Sequence, residues 1–320
     1  MTYLSSNPSA PPPSNPRRRS RRVSPGSKIR LRARGELALG YVFIAPIFII
    51  MVLVIAFPLV DAIATSFQNQ RVIGSPSDFV GFETYAKIMG DSDFWDALGR
   101  SGMWVGLNLI VQTLLAFPTA ILLQRKGWWG RSARVWVVLP WVVPTVAVTI
   151  TWQWMLNSNY GVIYRFFENI GVDLGSPFSQ PGIALVTLIL VNSWHWFPLA
   201  AVVIYGALAT VREDVLEAAK IDGANAWQSF WAVTLPQLQP VLFALGLVGS
   251  LWSFNVLDSI YLITEGGPVG ETTTIPVYVY NTAFGAFRSS EAAAASVITV
   301  FVLVAVALLL VRFARPKGDQ

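Results

Sequence analysis

The chain has 320 residues, of which 54% are hydrophobic and 13% charged, a balance too apolar for a soluble domain and typical of a polytopic membrane protein. It has no cysteine and one histidine, which excludes disulfides, a thiolate metal site, a cysteine nucleophile and a histidine metal cluster. The net charge of +5 gathers in the tails and one short loop, which argues against nucleic-acid binding.

Residues 1–36 are rich in proline and serine and then in arginine. They offer nothing apolar to bury, so we expect a disordered basic tail that its charge holds in the cytoplasm. A cleaved signal peptide is not expected, because the first apolar run is too long for one.

Six apolar runs follow, each near or above the roughly 20 residues that cross the hydrocarbon as a helix. They predict an all-α fold with six transmembrane helices over residues 37–313, followed by a short tail at 314–320. The predicted spans are 38–66, 99–123, 135–156, 182–208, 238–263 and 290–312.

The distribution of lysine and arginine among the loops predicts the orientation. Basic residues concentrate after the second, fourth and sixth spans, and the opposite loops hold fewer of them. Both termini and the loop 209–236 are therefore expected in the cytoplasm. On the outer side, residues 157–181 mix aromatics with glycine and proline, which favours a short helix at the membrane interface.

Polar and aromatic side chains inside the spans are candidates for a binding site, because they are costly in lipid and should face inward. Asn192, His195 and Trp196 share one helical face by their spacing. Further candidates are Trp141 in the third span and Ser253, Asn255 and Asp258 in the fifth. Hydrogen bonding between helices, without a ligand, is an equally open interpretation for the amides and the serine, as is a structural role for the histidine and a helix cap or helix contact for Asp258.

The loop between the fourth and fifth spans contains helix signals of its own. Thr210 and Glu213 have the spacing of a capping box, which predicts that a short helix begins there. Gly223 is placed to end that helix in a left-handed conformation, and Asn225 to cap a second helix that stops before Pro236. The prediction is a helix-turn-helix in water, whose apolar residues dock against a partner protein or the chain's own helix ends.

A family resemblance follows from this loop. Glu217-Ala218-Ala219, Gly223 and Leu235-Pro236 resemble the EAA loop of permease subunits in binding-protein-dependent ABC importers, with Val233 in place of the usual isoleucine. Residues 79–98 are similar to the segment that precedes the second core helix of sugar-importer permeases. The resemblance covers nearly the whole chain after residue 38 and implies the type I (MetI-like) importer architecture of the maltose or glycerol-phosphate type.

The resemblance also implies how the chain is energised and with what it assembles. The implied ATPase-coupling residues are Glu217, Ala218, Ala219, Asp222, Gly223, Ala224, Leu235 and Pro236. The implied partners, in a bacterial plasma membrane, are a homologous second permease, a cytoplasmic ATPase dimer, an extracytoplasmic substrate-binding lipoprotein and membrane lipid. ATP and Mg²⁺ would be used by the ATPase, with no cofactor or metal on this chain, which has no GxxxxGK[ST] phosphate loop.

The resemblance further implies where a sugar is contacted. The matching positions are Trp141, Asn192, His195, Trp196, Gly249, Ser253 and Val256. Gly249 and Val256 stand where maltose permeases have polar residues, so a sugar other than maltose is favoured. No lysine or arginine lies deep in a span, so a neutral mono- or oligosaccharide is expected rather than an anion.

Two other functions are open from the sequence. An ion-coupled secondary transporter or channel would use Asp258 as its ion site. An intramembrane enzyme is the weaker alternative, because one histidine and no cysteine leave little material for a nucleophile and its base. We therefore expect a transport subunit that works by alternating access, and not an enzyme.

Overall fold

The computed structural model describes residues 43–314. The predicted basic tail at 1–36, the first residues of the first predicted span and residues 315–320 lie outside the described residues. Within 43–314 the chain is helical, and its one β-type contact is an isolated bridge between Gln68 and Phe79. The predicted all-α class is thus confirmed. One compact unit ends at Leu59 and a second begins at Val60.

Thirteen helices are distinguished in the described part of the chain. They are α1 Phe43–Ser66, α2 Glu83–Met89, α3 Ser92–Leu123, α4 Trp128–Val142, α5 Thr145–Met155, α6 Val162–Asn169, α7 Ala184–Leu208, α8 Glu213–Ile221, α9 Ala226–Ser229, α10 Leu235–Phe254, α11 Asp258–Thr264, α12 Ile275–Tyr280 and α13 Ser289–Ala314. Five helical runs are long and apolar enough to cross a membrane, with Ala226–Thr264 counted as one, and the pair α4 and α5 makes six if it is one span. Helix α6 lies in the segment where an interfacial helix is predicted.

The third predicted span, 135–156, is divided between two helices and not formed by one continuous helix, and it stays a prediction that the pair crosses the membrane as one span. Helices α4 and α5 meet at an angle of 92°. Pro144 has no N–H to donate to the carbonyl of Pro140, and its ring disfavours a helical Val143, which is extended (φ −70°, ψ 134°). The break therefore follows from two prolines four residues apart.

The prediction that a short helix stops before Pro236 is wrong. Helix α9 continues into α10 through a π-helical turn, Phe230–Thr234, in which the N–H of Leu235 bonds the carbonyl of Phe230. A widened turn of this kind lets a helix pass a residue that has no N–H to donate. The second half of the loop 209–236 is therefore continuous with the helix that follows it.

Helices α3, α7 and α10 pack on one another and form the centre of the second unit. Small residues allow α3 and α7 to approach closely: Ala116 and Ala120 face Ala200 and Ala201, all of them buried. In membranes such small-residue contacts replace the hydrophobic drive that holds soluble helices together. The result is a closely packed pair of helices, and α10 packs against both of them.

Candidate functional site

A cavity of about 490 Å³ lies between α3, α7 and α10. This volume is within the range of roughly 300–1,000 Å³ that is common for small-molecule sites. Most of the lining is aliphatic, and its polar and aromatic members are Gln112, Thr113, Asn192, Trp196, Trp252 and Ser253. No charged side chain is among the described residues that line it, so the cavity suits an uncharged ligand.

Two tryptophans supply the aromatic surface of the cavity. The ring centroids of Trp196 on α7 and Trp252 on α10 are 5.9 Å apart, and the ring planes are inclined by 57°. Aromatic faces of this kind can cover the apolar C–H surface of a ligand while neighbouring polar groups fix its orientation. The pair therefore forms a bent wall made by two different helices.

Two buried polar atoms at the cavity have no hydrogen-bond partner among the described residues: Oδ1 of Asn192 and Oγ of Ser253. The two residues are only 2% and 7% exposed. A buried polar group left unpaired costs about 1–3 kcal/mol. Neither atom is open to solvent in this conformation, so a ligand hydroxyl would pair with it, and recover part of this cost, only after the lining side chains shift.

The backbone near Ser253 is held by a tryptophan on another helix. The indole N–H of Trp104 on α3 donates to the carbonyl of Ser253 at 3.0 Å, and Trp104 is fully buried. This bond ties the end of α10 to α3, just before the helix breaks at residues 255–257.

Three of the seven predicted binding residues, Asn192, Trp196 and Ser253, line the cavity together, and Gly249 and Val256 line it too. The structure does not bring the other four to this cavity. Asn255 is exposed and donates to the carbonyl of Leu251 at 2.7 Å. Asp258 is exposed and is the first residue of α11, and Trp141 is 40% exposed near the end of α4. The role of each in binding stays a prediction.

His195 is buried between α7 and the bend of α4 and α5. Its Nε2 lies 3.4 Å from the hydroxyl of Thr145, the first residue of α5. The ring also lies beside the carbonyl of Pro140, the group to which Pro144 has no N–H to donate. His195 thus contacts both sides of the bend, and its role in binding stays a prediction.

The loop 209–236 is built from local backbone bonds. Helix α8 ends in a Schellman motif: the N–H of Ala224 bonds the carbonyl of Ala219 at 2.9 Å, and the N–H of Gly223 bonds that of Lys220 at 3.1 Å. Gly223 has a φ of +85°, as predicted for a left-handed residue there. Glu217 is exposed on this helix.

The start of α8 differs from the prediction. Thr210 does not cap it, because its hydroxyl donates to the carbonyl of Ala207 at 2.8 Å and so closes the end of α7. The residue at the N-cap is Arg212, whose guanidinium bonds the carboxylate of Asp214. This hydrogen bond lowers the pKa of Asp214. The predicted capping box at Thr210 is wrong.

The predicted cap at Asn225 is present. The side-chain oxygen of Asn225 accepts from the backbone N–H of Gln228 at 2.9 Å. The side-chain oxygen of Gln228 accepts from the backbone N–H of Asn225, also at 2.9 Å. The helix that follows carries three aromatics in mutual contact: Trp227, Phe230 and Trp231. Phe230 also meets Phe117 of α3 edge to face, with ring centroids 5.9 Å apart. Trp227 remains 70% exposed, so this cluster has both an anchored and an open side.

The loops near α2 and α12 form a second polar region. The hydroxyl of Tyr278 donates to Asp91 at 2.6 Å, and burial raises the pKa of this phenol, which keeps it a donor. Asp91 also accepts from the N–H of Asp93 and caps α3. The guanidinium of Arg100 donates to the carboxylate of Asp96 at 3.4 Å, so two of the three acidic side chains near the start of α3 (Asp91, Asp93 and Asp96) have partners within the chain.

Two polar residues near the cavity, Asn108 and Gln112 on α3, are not among the predicted binding residues. Gln112 lines the cavity, and Asn108 is fully buried directly behind Asn192. A signal was available, because Trp104, Asn108 and Gln112 recur every four residues in an otherwise apolar run.

Comparison with known proteins decides the family. Residues 112–318 match the model of a family described as binding-protein-dependent transport system inner membrane component. The chain belongs to this family. It is a multi-pass membrane transport subunit, an ABC importer permease, and the membership inferred from the EAA loop is confirmed. The family membership favours this function over a secondary transporter or an intramembrane enzyme.

Relatives of the permease match it over most of its length. It is 32% identical to the inner membrane ABC transporter permease YcjO of Escherichia coli over 90% of this chain and 98% of that one. It is 30% identical to the diacetylchitobiose uptake system permease DasB of Streptomyces coelicolor over 92% of each. A solved bacterial ABC transporter involved in the import of alginate shares its fold, with a TM-score of 0.78 at 20% identity, over 91% of this chain and 100% of that one.

Proposed function

We propose that the permease moves a neutral saccharide across a bacterial plasma membrane by alternating access. The observation that carries this proposal is the cavity between α3, α7 and α10, which is uncharged and combines the Trp196–Trp252 wall with unpaired polar atoms on Asn192 and Ser253. A neutral sugar needs an aromatic surface for its C–H faces and hydrogen-bonding groups for its hydroxyls. An anionic sugar would also need a positive charge, which this lining does not provide.

The names of two relatives support a sugar substrate. DasB is described as a permease for diacetylchitobiose, and the MalF protein of Thermococcus litoralis, 29% identical over 80% of this chain and 85% of that one, as a trehalose/maltose permease. Both names specify neutral sugars. The alginate transporter handles an acidic polysaccharide and, at 20% identity, supports the fold alone.

The loop 209–236 is proposed as the coupling loop, which seats in a cytoplasmic ATPase dimer that binds ATP and Mg²⁺. Its exposed side, which includes Glu217 and Trp227, offers a surface for that partner, while Phe230 anchors it to α3. A homologous second permease completes the pathway, and both termini lie in the cytoplasm. The assembled complex, not this chain, hydrolyses ATP.

An extracytoplasmic binding protein is proposed to deliver the sugar to the loops at 68–97, 157–181 and 264–288. The family takes its description from such proteins. One solved neighbour, with a TM-score of 0.76 at 20% identity, is described as the alginate transporter in complex with its periplasmic protein. By the charge of its cytoplasmic loops, the permease presents these three segments on the outer side.

Reconstitution tests the proposal. The permease, its second permease and its ATPase are placed in proteoliposomes with the binding protein, and uptake of radiolabelled maltose, trehalose, diacetylchitobiose and an alginate trisaccharide is measured. We expect ATP-dependent uptake of at least one neutral sugar and none of the uronate. Uptake that follows a proton gradient without ATP, or of the uronate alone, would refute the proposal. Glu217→Ala should reduce ATP-driven uptake while the permease still inserts normally into the membrane.

A further inference from the structure

One side chain behind the cavity fixes the hydrogen-bonding direction of another that lines it. Asn108 on α3 is fully buried and does not line the cavity. Its Nδ2 donates to the carbonyl of Trp104 at 2.9 Å. Its Oδ1 accepts from Nδ2 of Asn192 at 2.7 Å and from the hydroxyl of Ser193 at 3.1 Å.

The direction of this chain of bonds is forced from one end. A backbone carbonyl can only accept, so the amide nitrogen of Asn108 must face Trp104. Its oxygen must then face α7, and only the nitrogen of Asn192 can pair with it. Rotating the Asn192 amide by half a turn would bring two oxygens to about the same 2.7 Å separation, which is repulsive.

This orientation determines where the side-chain oxygen of Asn192 lies. Because Asn108 accepts from one N–H of the Asn192 amide and so fixes its orientation, the Asn192 oxygen lies on the side away from Asn108, and this atom has no partner among the described residues. We propose that Asn108 is a positioning residue that holds Asn192 as a hydrogen-bond acceptor, so the cavity selects a substrate that offers a hydroxyl donor at this point. A carboxylate or phosphate oxygen at the same point would meet another acceptor. This inference rests on the proposed function and specifies the substrate chemistry at that site.

The neighbours of Asn108 cannot replace it in this role. The hydroxyl of Ser193 rotates and can donate or accept, so it imposes no direction on the network. Gln112 reaches Oδ1 of Asn108 only at 3.5 Å, which is long for a hydrogen bond. The direction of the Asn192 amide therefore depends on Asn108 alone.

A double-mutant cycle tests the inference. Radiolabelled trehalose, maltose or diacetylchitobiose, whichever the wild-type complex imports, is used to measure the Kd of the purified transporter complex without binding protein. We expect Asn108→Leu to raise the Kd about tenfold in the wild-type background and less than about twofold in an Asn192→Leu background. A residue that acts only through Asn192 has nothing left to position once Asn192 is replaced.

Two further variants separate direction from packing. Asn108→Asp keeps the shape of the side chain, and in its neutral form the carboxyl donates to the carbonyl of Trp104 and still accepts from Asn192. We expect it to recover the Kd to within about threefold of wild type. Thr119→Val, on the same helix but away from the cavity, should leave the Kd unchanged.

Specific outcomes would overturn the inference. These are an unchanged Kd in Asn108→Leu, an equal increase in both backgrounds, or an Asn108→Asp variant as weak as Asn108→Leu. Each leaves the proposed function standing, because the wild-type complex still binds and imports the sugar. If the wild-type complex instead hydrolyses ATP and imports no neutral sugar, the proposed function itself fails and this inference fails with it.

Discussion

The loop 209–236 and the cavity are built in opposite ways. In the loop, the bonds that set the structure join residues no more than five positions apart, such as the N–H of Ala224 and the carbonyl of Ala219. At the cavity the deciding bonds join residues 84 and 149 positions apart, in the pairs Asn108–Asn192 and Trp104–Ser253. The loop is thus specified by its own sequence, whereas the cavity exists only once three helices have packed.

The two regions are nevertheless joined physically. The helical run from Ala226 to Thr264 begins in the loop and carries Trp252 and Ser253 at the cavity. The contact of Phe230 with Phe117 gives the loop a second connection, to α3. If the two regions have separate tasks, loop variants should lower the rate of uptake without weakening sugar binding. Cavity variants should weaken sugar binding without reducing co-purification of the ATPase.

The largest expected effect comes from Gly223. Proline in its place fixes φ near −65°, where the native value is +85°, and removes the N–H that bonds the carbonyl of Lys220. Proline would destabilise the native turn by about 3 kcal/mol, which corresponds to a change of about a hundredfold in an equilibrium constant. We therefore expect the rate of uptake in Gly223→Pro to fall to about 1% of wild type. The Kd for sugar should stay within about twofold of wild type.

Two milder substitutions at Gly223 serve as controls. A Cβ there would meet nothing within 4 Å, so the cost of Gly223→Ala comes only from the left-handed backbone, about 1–2 kcal/mol. Asparagine tolerates that conformation, so Gly223→Asn should transport better than Gly223→Ala, and Gly223→Ala better than Gly223→Pro. Normal uptake in all three would contradict a coupling role for this turn, and a weakened Kd would end the separation of the two regions.

A smaller effect is expected from the tryptophan wall. Trp196→Ala removes one face of the pair with Trp252, and we expect the Kd for sugar to rise roughly tenfold, or about 1.4 kcal/mol. The ATPase should co-purify as in wild type. The matched control is Trp194→Ala on the same helix, whose ring packs on Trp152 outside the cavity and whose loss should leave the Kd unchanged. Equal effects of the two variants would show that helix packing, not sugar contact, is being measured.

More of the loop 209–236 than of the cavity could be predicted from the sequence. The left-handed Gly223 and the Asn225 cap were predictable because each depends on residues a few positions away. Thr210 was assigned to the wrong helix, since a hydroxyl can serve the helix behind it as easily as the one ahead. The passage of the helix past Pro236 was missed because the compensating π-helical turn leaves no mark in the sequence.

At the cavity, sequence reasoning found residues but not their arrangement. Helical spacing put Asn192, His195 and Trp196 on one face, yet only Asn192 and Trp196 reach the cavity. His195 instead meets the bend at Thr145, whose 92° angle could not be read from the prolines that cause it. Asn108 was missed because its importance lies in a bond to a residue on another helix.

The smallest effect is expected at Asp258, where the secondary-transporter alternative placed its ion site. This carboxylate is exposed, lies outside the cavity, begins α11 and has no ion-pair partner among the described residues. Its favourable interaction with the start of a short helix is weak and partly retained by asparagine, which also suits helix starts. We expect ATP-driven uptake in Asp258→Asn to stay within about twofold of wild type and to be insensitive to a protonophore. An ion-coupled mechanism requires the ionisable group, so loss of transport in Asp258→Asn, together with protonophore sensitivity of the wild type, would move the energy source from the coupling loop to the membrane gradient.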